Sequence, residues 1–361
     1  MDRITKTVTT TNVDNINAEK KEKSVYIEIM RIVAVFFVIF HHSSGYMLFT
    51  YQPIGSLRFL IYLFISVFCT FSVPLFFAIS GALMLEKDYE PRKILQRVIK
   101  MFVILFVFSF AYYMKHVYRG DNTFSIEDFL TLFYTRGTWG HLWFMYVYIA
   151  YLMSFPFLRA LVKNLDTKYY YYLIGLALFY SGIIPTIEYL LWKSEISLYS
   201  CTKASWVTSL IVLYPCLGYL LKNKFEITQK RLIILWIFNI LGIAISCYLT
   251  YRKGITEGQL SHAEESFHSR FGLLNCICIF STIKYMFRSV SAQDLFGKVC
   301  ISVGSCVFGI YLFHLMIYKG NLQEILKQIG FEPMLSAFIM SLYLMTLSYI
   351  VTFVVRLKIK I

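Results

Sequence analysis

The sequence predicts an all-α membrane protein of about ten transmembrane helices with both termini cytoplasmic. Three observations carry this. The 361 residues are 58% hydrophobic and only 16% charged, with a mean hydropathy of +0.60, far more apolar surface than a soluble core requires. The apolar residues gather into repeated runs near the ~20 residues that cross a bilayer as a helix. Lys and Arg segregate between alternate connections: 23 of the 35 share the side of the N-terminus, 11 lie opposite, and Arg31 sits within the first run. That asymmetry is the positive-inside distribution, and it accounts for the net charge of +14 without nucleic acid.

The runs lie at 25–43, 57–85, 98–117, 141–161, 169–190, 206–221, 232–250, 271–287, 300–318 and 333–355. Residues 1–24 read as a polar cytoplasmic tail, 25–356 as one multi-span domain and 357–361 as a short cytoplasmic tail. No apolar run precedes Val25, so a cleavable signal is not expected. Of the eight cysteines only Cys201 lies clearly in a loop, which is no disulfide framework.

The first run places Glu28, Arg31 and the pair His41-His42 in an apolar helix. Arg31 and His42 are eleven positions apart, about three turns and ~16 Å, so they share a face, with His41 turned ~100° away. Ionisable groups inside a spanning segment are costly and are functional candidates by default. Glu28, one turn before Arg31, can pair with it.

The second run holds Pro74, which is expected to kink the helix. It also holds Ser80-Gly81-Ala82, a small-residue patch suited to close helix packing or to lining a pocket. Pro91 suits a helix start. Lys93, Arg97 and Lys100 then fall on one face at i, i+4 and i+7. That stripe serves either topology and lipid headgroups or a phosphorylated cytosolic ligand.

The fourth run opens with His141-Leu142-Trp143 at the outer interface, where Trp is ordinary and His is not. Tyr169 to Tyr172 read as interfacial aromatics. The outer loop bearing His262, Glu264, Glu265 and His268 lacks metal-ligand spacing, so no metal is expected. The ninth run carries Tyr311 and His314, and a histidine at that depth needs a partner. Arg356, Lys358 and Lys360 read as a cytoplasmic stop.

Together these pieces resemble the acyltransferase-3 family, bacterial multi-pass O-acyltransferases of surface polysaccharides. Arg31, ten residues and His42 are similar to its first-span signature. Pro74-Leu-Phe-Phe-Ala-Ile-Ser80-Gly81 resembles its Pro-x-Phe-Phe-x-x-Ser-Gly element, and Arg97-Val-Ile-Lys100 its Arg-x-x-Arg motif. His141-Leu-Trp143-Phe144 and Gly309-Ile-Tyr311-Leu-Phe-His314 resemble its fourth-span and late elements. Lys100 departs from the second Arg, keeping the charge and losing the guanidinium fork.

The resemblance implies transfer of an acyl group, most often acetyl, from cytoplasmic acetyl-CoA or another acyl-CoA. The acceptor would be a hydroxyl of a cell-surface or lipid-linked glycan, the location the bacterial plasma membrane. His42 and Arg31 would be catalytic, with His42 a general base or a transient acyl carrier. Arg97, Lys100 and Lys93 would hold the cofactor. Glu28, Ser80, His141, Trp143, Tyr311 and His314 would line the substrate pocket. Membrane lipids are the other expected partners, and the oligomeric state stays open. A second reading, a transporter or flippase of a lipid-linked sugar, suits many spans with intramembrane polar groups.

Overall fold

The computed structural model describes residues 24–359 except 44, 46, 122, 193–204, 259, 261–268 and 319–320. The N-terminal tail, Cys201 and the cluster from His262 to His268 lie outside the described residues. The regular structure among the described residues is all helical. The elements are α1 (Val25–His42), α2 (Leu57–Phe68), α3 (Ser72–Met84), α4 (Pro91–Arg119), α5 (Ile126–Thr135), α6 (Trp143–Asn164), α7 (Thr167–Leu178) and α8 (Ile184–Trp192). There follow α9 (Ser205–Thr208), α10 (Leu213–Asn223), α11 (Gln229–Glu257), α12 (Gly272–Phe287), α13 (Leu295–Ile317), α14 (Asn321–Gln328) and α15 (Pro333–Ile359).

Among the described residues eight helical segments are long and apolar enough to cross a bilayer, counting α2–α3 and α7–α8 as one each. The other two expected spans are shorter helices. The run at 271–287 contains α12, a 16-residue apolar helix. Residues 206–221 divide into α9 and α10 around a break at 209–212. The chain is therefore a multi-pass, all-α membrane protein. The outward surface of α4 is apolar, with Phe102, Val103, Phe106 and Val107 exposed, the composition a lipid-facing helix surface requires.

Proline shapes two spans. Pro74 cannot donate to the carbonyl of Thr70, and the second span passes through a 3₁₀ turn at Cys69–Phe71 before α3 begins. Asn275 of α12 holds this turn, its Nδ2 donating to the Val67 carbonyl at 2.8 Å and to Thr70 Oγ1 at 2.9 Å. Pro185 sits one residue into α8, and a π turn at Phe179–Ile183 absorbs it.

Two helices were not foreseen. α5 lies in the connection 118–140; its amphipathic length is too short to read as a span. Ser125 caps its N-terminus by accepting from the Asp128 amide. Phe129 and Phe133 bury its apolar side against Phe106 of α4. α14 is likewise a short amphipathic piece before the last span.

The interior has two main apolar clusters. One gathers α1, α3, α6, α10 and α12; the other gathers α1, α4, α5, α13 and α15. α1 belongs to both. At their seam Val73, Phe76, Met101 and Phe144 pack against each cluster, and the same four residues border the cavity described next.

Candidate active site

α1 sets the geometry. Its helical phase puts Arg31, Val38 and His42 on one side, and all three line a cavity of about 290 Å³. α3 supplies Val73, Phe76, Ile79 and Ser80; the entry to α6 supplies His141, Trp143, Phe144 and Tyr148; α13 supplies Gly304, Ser305, Val307, Phe308 and Tyr311. The lining between Arg31 and His42 is mainly apolar. The cavity is a greasy passage with a cation at one end and imidazoles at the other.

At the Arg31 end the charge is managed within α1. Arg31 Nη1 donates to both Glu28 carboxylate oxygens, at 2.9 and 3.0 Å. Glu28 is 5% exposed. Its side chain fills the space a Cβ on Gly304 would take, so glycine there lets α13 close onto the ion pair.

At the other end three histidines from three elements meet. The His42 ring lies 5.4 Å from His314 and 6.1 Å from His141, and His141 lies 5.2 Å from His314, between ring centroids. His314 Nδ1 contacts the Tyr311 carbonyl at 2.7 Å. A carbonyl only accepts, so that nitrogen carries the proton and Nε2 is left as the basic atom. His314 Nε2 and both ring nitrogens of His141 are buried without a partner among the described residues. Leaving such atoms unsatisfied costs about 1–3 kcal/mol each, a cost expected where polar groups wait for a ligand.

The setting of His314 is built by α4. Lys115 Nζ donates to the carbonyls of Leu315 and Met316 at 2.6 and 3.1 Å, and the Tyr112 hydroxyl donates to Leu312 at 2.8 Å. Leu315 and Met316 lie in the last turn of α13, whose carbonyls have few amides left to bond. Tyr311 forms a second strut, its hydroxyl donating to the His141 carbonyl at 2.7 Å. Its ring lines the cavity while its hydroxyl proton is committed.

A family model described as an acyltransferase domain matches residues 24–353. The chain belongs to the acyltransferase-3 family. No curated protein and no solved structure matches it. Membership makes this acyltransferase-3 chain an acyltransferase by class, the first of the two functions open at the level of sequence.

The fold brings Arg31, His42, Ser80, His141, Trp143 and Tyr311 to the cavity wall of this acyltransferase-3 chain, with Glu28 behind Arg31 and His314 beside His42. The three cofactor candidates do not line it. Lys93 is exposed and 3.7 Å from Glu90, and Lys100 is exposed. Arg97 is half-buried, its guanidinium 4.1 Å from the centroid of the Tyr89 ring. The small-residue patch divides its roles. Ser80 lines the cavity, whereas Gly81 packs on the backbone of Pro215 and, reciprocally, Gly218 on that of Ala78.

Sequence reasoning passed over Lys115, Tyr112, Tyr148 and Ser305. Lys115 read only as an outer-side charge. Its capping role depends on a helix 200 residues away in the chain.

Proposed function

We propose that the protein transfers an acyl group, most simply acetyl, from cytoplasmic acyl-coenzyme A to a hydroxyl of a cell-surface or lipid-linked glycan at the bacterial plasma membrane. The observation that carries this reading is that one cavity joins Arg31 to His42 along one face of α1. A thioester donor entering at the Arg31 end and a hydroxyl acceptor at the His42 end would meet inside the membrane without either crossing it.

The residues support a direct transfer. The acceptor hydroxyl lies against His42, whose imidazole takes its proton as the oxygen attacks the thioester carbonyl. The carbon–sulfur bond breaks, and the coenzyme leaves as thiol once its thiolate is protonated. His314 Nε2 and the ring nitrogens of His141, which lie beside His42 and have no partner among the described residues, can accept or return that proton. Arg97, with Lys93 and Lys100 on the same helix, provides charge for the coenzyme's phosphates. The largely apolar wall excludes water, which favours the glycan hydroxyl over hydrolysis.

The test is mass analysis of the surface glycan with the gene present, deleted or carrying His42→Ala. The expected result is one acyl group per repeat unit, lost on deletion and on substitution. A glycan whose mass is the same in all three strains defeats the acceptor assignment. Release of free thiol from acyl-coenzyme A by purified protein tests the donor separately.

A further inference from the structure

Arg356 reads in the sequence as part of a terminal stop signal, yet its guanidinium turns inward. Nη1 lies 2.6 Å from Ser305 Oγ and 3.4 Å from Cys306 Sγ. Ser305 is a cavity residue, and its neighbour Gly304 rests on Glu28. Arg356 of α15 therefore sits at the level of the Glu28–Arg31 pair.

The charge at that level does not balance. Arg31 is matched by a bidentate carboxylate. Arg356 is half-buried and has no carboxylate within ion-pair distance among the described residues; its partners there are a hydroxyl and a thiol. With Nη1 engaged, its Nη2 and Nε edge is left without an acceptor among the described residues. That edge is the planar fork that fits two oxygens of a phosphate. An uncompensated cation inside a membrane protein is costly without an anion.

We infer that Arg356, positioned by Ser305, forms a phosphate-ester site beside the Arg31 end of the cavity. A soluble ester such as the coenzyme of the acyl donor and a lipid headgroup offer the same chemistry. Naming coenzyme A as the soluble source rests on the donor proposed above; the site does not.

The experiment uses the full chain purified in a phosphate-free maltoside detergent. Thermal stabilisation is titrated with inorganic pyrophosphate, coenzyme A and phosphatidylglycerol. Arg356→Gln is expected to weaken binding of pyrophosphate and of at least one of the other two by about tenfold, the scale of one charge-assisted hydrogen bond. Arg356→Lys is expected to recover only part, because an ammonium lacks the fork. Ser305→Ala keeps the cation and is expected to bind within about threefold of the parent; it carries the test with Arg356→Lys if Arg356→Gln does not fold.

Loss for coenzyme A marks a soluble ester as the ligand, and loss for phosphatidylglycerol alone marks a headgroup. Equal affinity of parent and both Arg356 variants for all three probes overturns the site and leaves Arg356 as a clamp on α13. A parent that binds pyrophosphate through Arg356 but not coenzyme A removes the proposed donor and keeps the site.

Discussion

At the residue scale the proposed chemistry rests on His42 and its two neighbouring imidazoles. A general base contributes about a hundredfold to ten-thousandfold to rate. His42→Ala is therefore expected to lower acyl transfer at least about a hundredfold while membrane insertion persists, with turnover and membrane-fraction yield measured side by side. The Glu28–Arg31 pair invites a stability test. Removing one partner of a buried pair costs about 3–5 kcal/mol. Arg31 keeps 32% side-chain exposure, so Glu28→Gln is expected to cost about 2 kcal/mol after allowance for solvent. A melting temperature equal to the parent's would show that solvent already neutralises Arg31.

Two junctions between elements govern the site. α3 and α10 touch backbone to backbone at Gly81 and Gly218. A side chain at either position meets main chain, which cannot swing aside. Gly218→Val is expected to cost about 3 kcal/mol or to prevent folding, read as lost thermal stability in detergent. The second junction is the end of α13, held by Lys115 and Tyr112 of α4. Lys115→Met is expected to cost about 1–3 kcal/mol. Because it displaces His314 and leaves the Arg31 end untouched, kcat should fall with KM for the acyl donor little changed. A rise in KM alone would place Lys115 on the donor path.

Over the full chain, the arrangement depends on orientation. The Lys and Arg asymmetry predicts that the loop after α11 faces outward and the turn before α4 faces inward. Thr256, in the last turn of α11 before that loop, and Glu90, just before α4, are exposed. In a Cys201→Ser background, Thr256→Cys should react with an impermeant maleimide in intact cells and Glu90→Cys only after lysis. The reverse pattern would exchange the proposed donor and acceptor sides of the cavity.

Most of the fold was legible in the order of residues, because a bilayer demands long apolar helices and composition reveals them directly. Helical phase alone put Arg31 and His42 on one face and turned His41 aside. The i, i+3 spacing anticipated the Glu28–Arg31 pair that the structure shows. Spacing along one helix says nothing about which distant helix stands opposite. The meeting of His42 with His141 and His314, the capping of α13 by Lys115 and the inward turn of Arg356 all join residues far apart in the chain. Those contacts were set by packing, where small residues let helices approach and unmatched polar groups sought one another. The local sequence names the chemical groups; only the tertiary structure decides that they share one cavity.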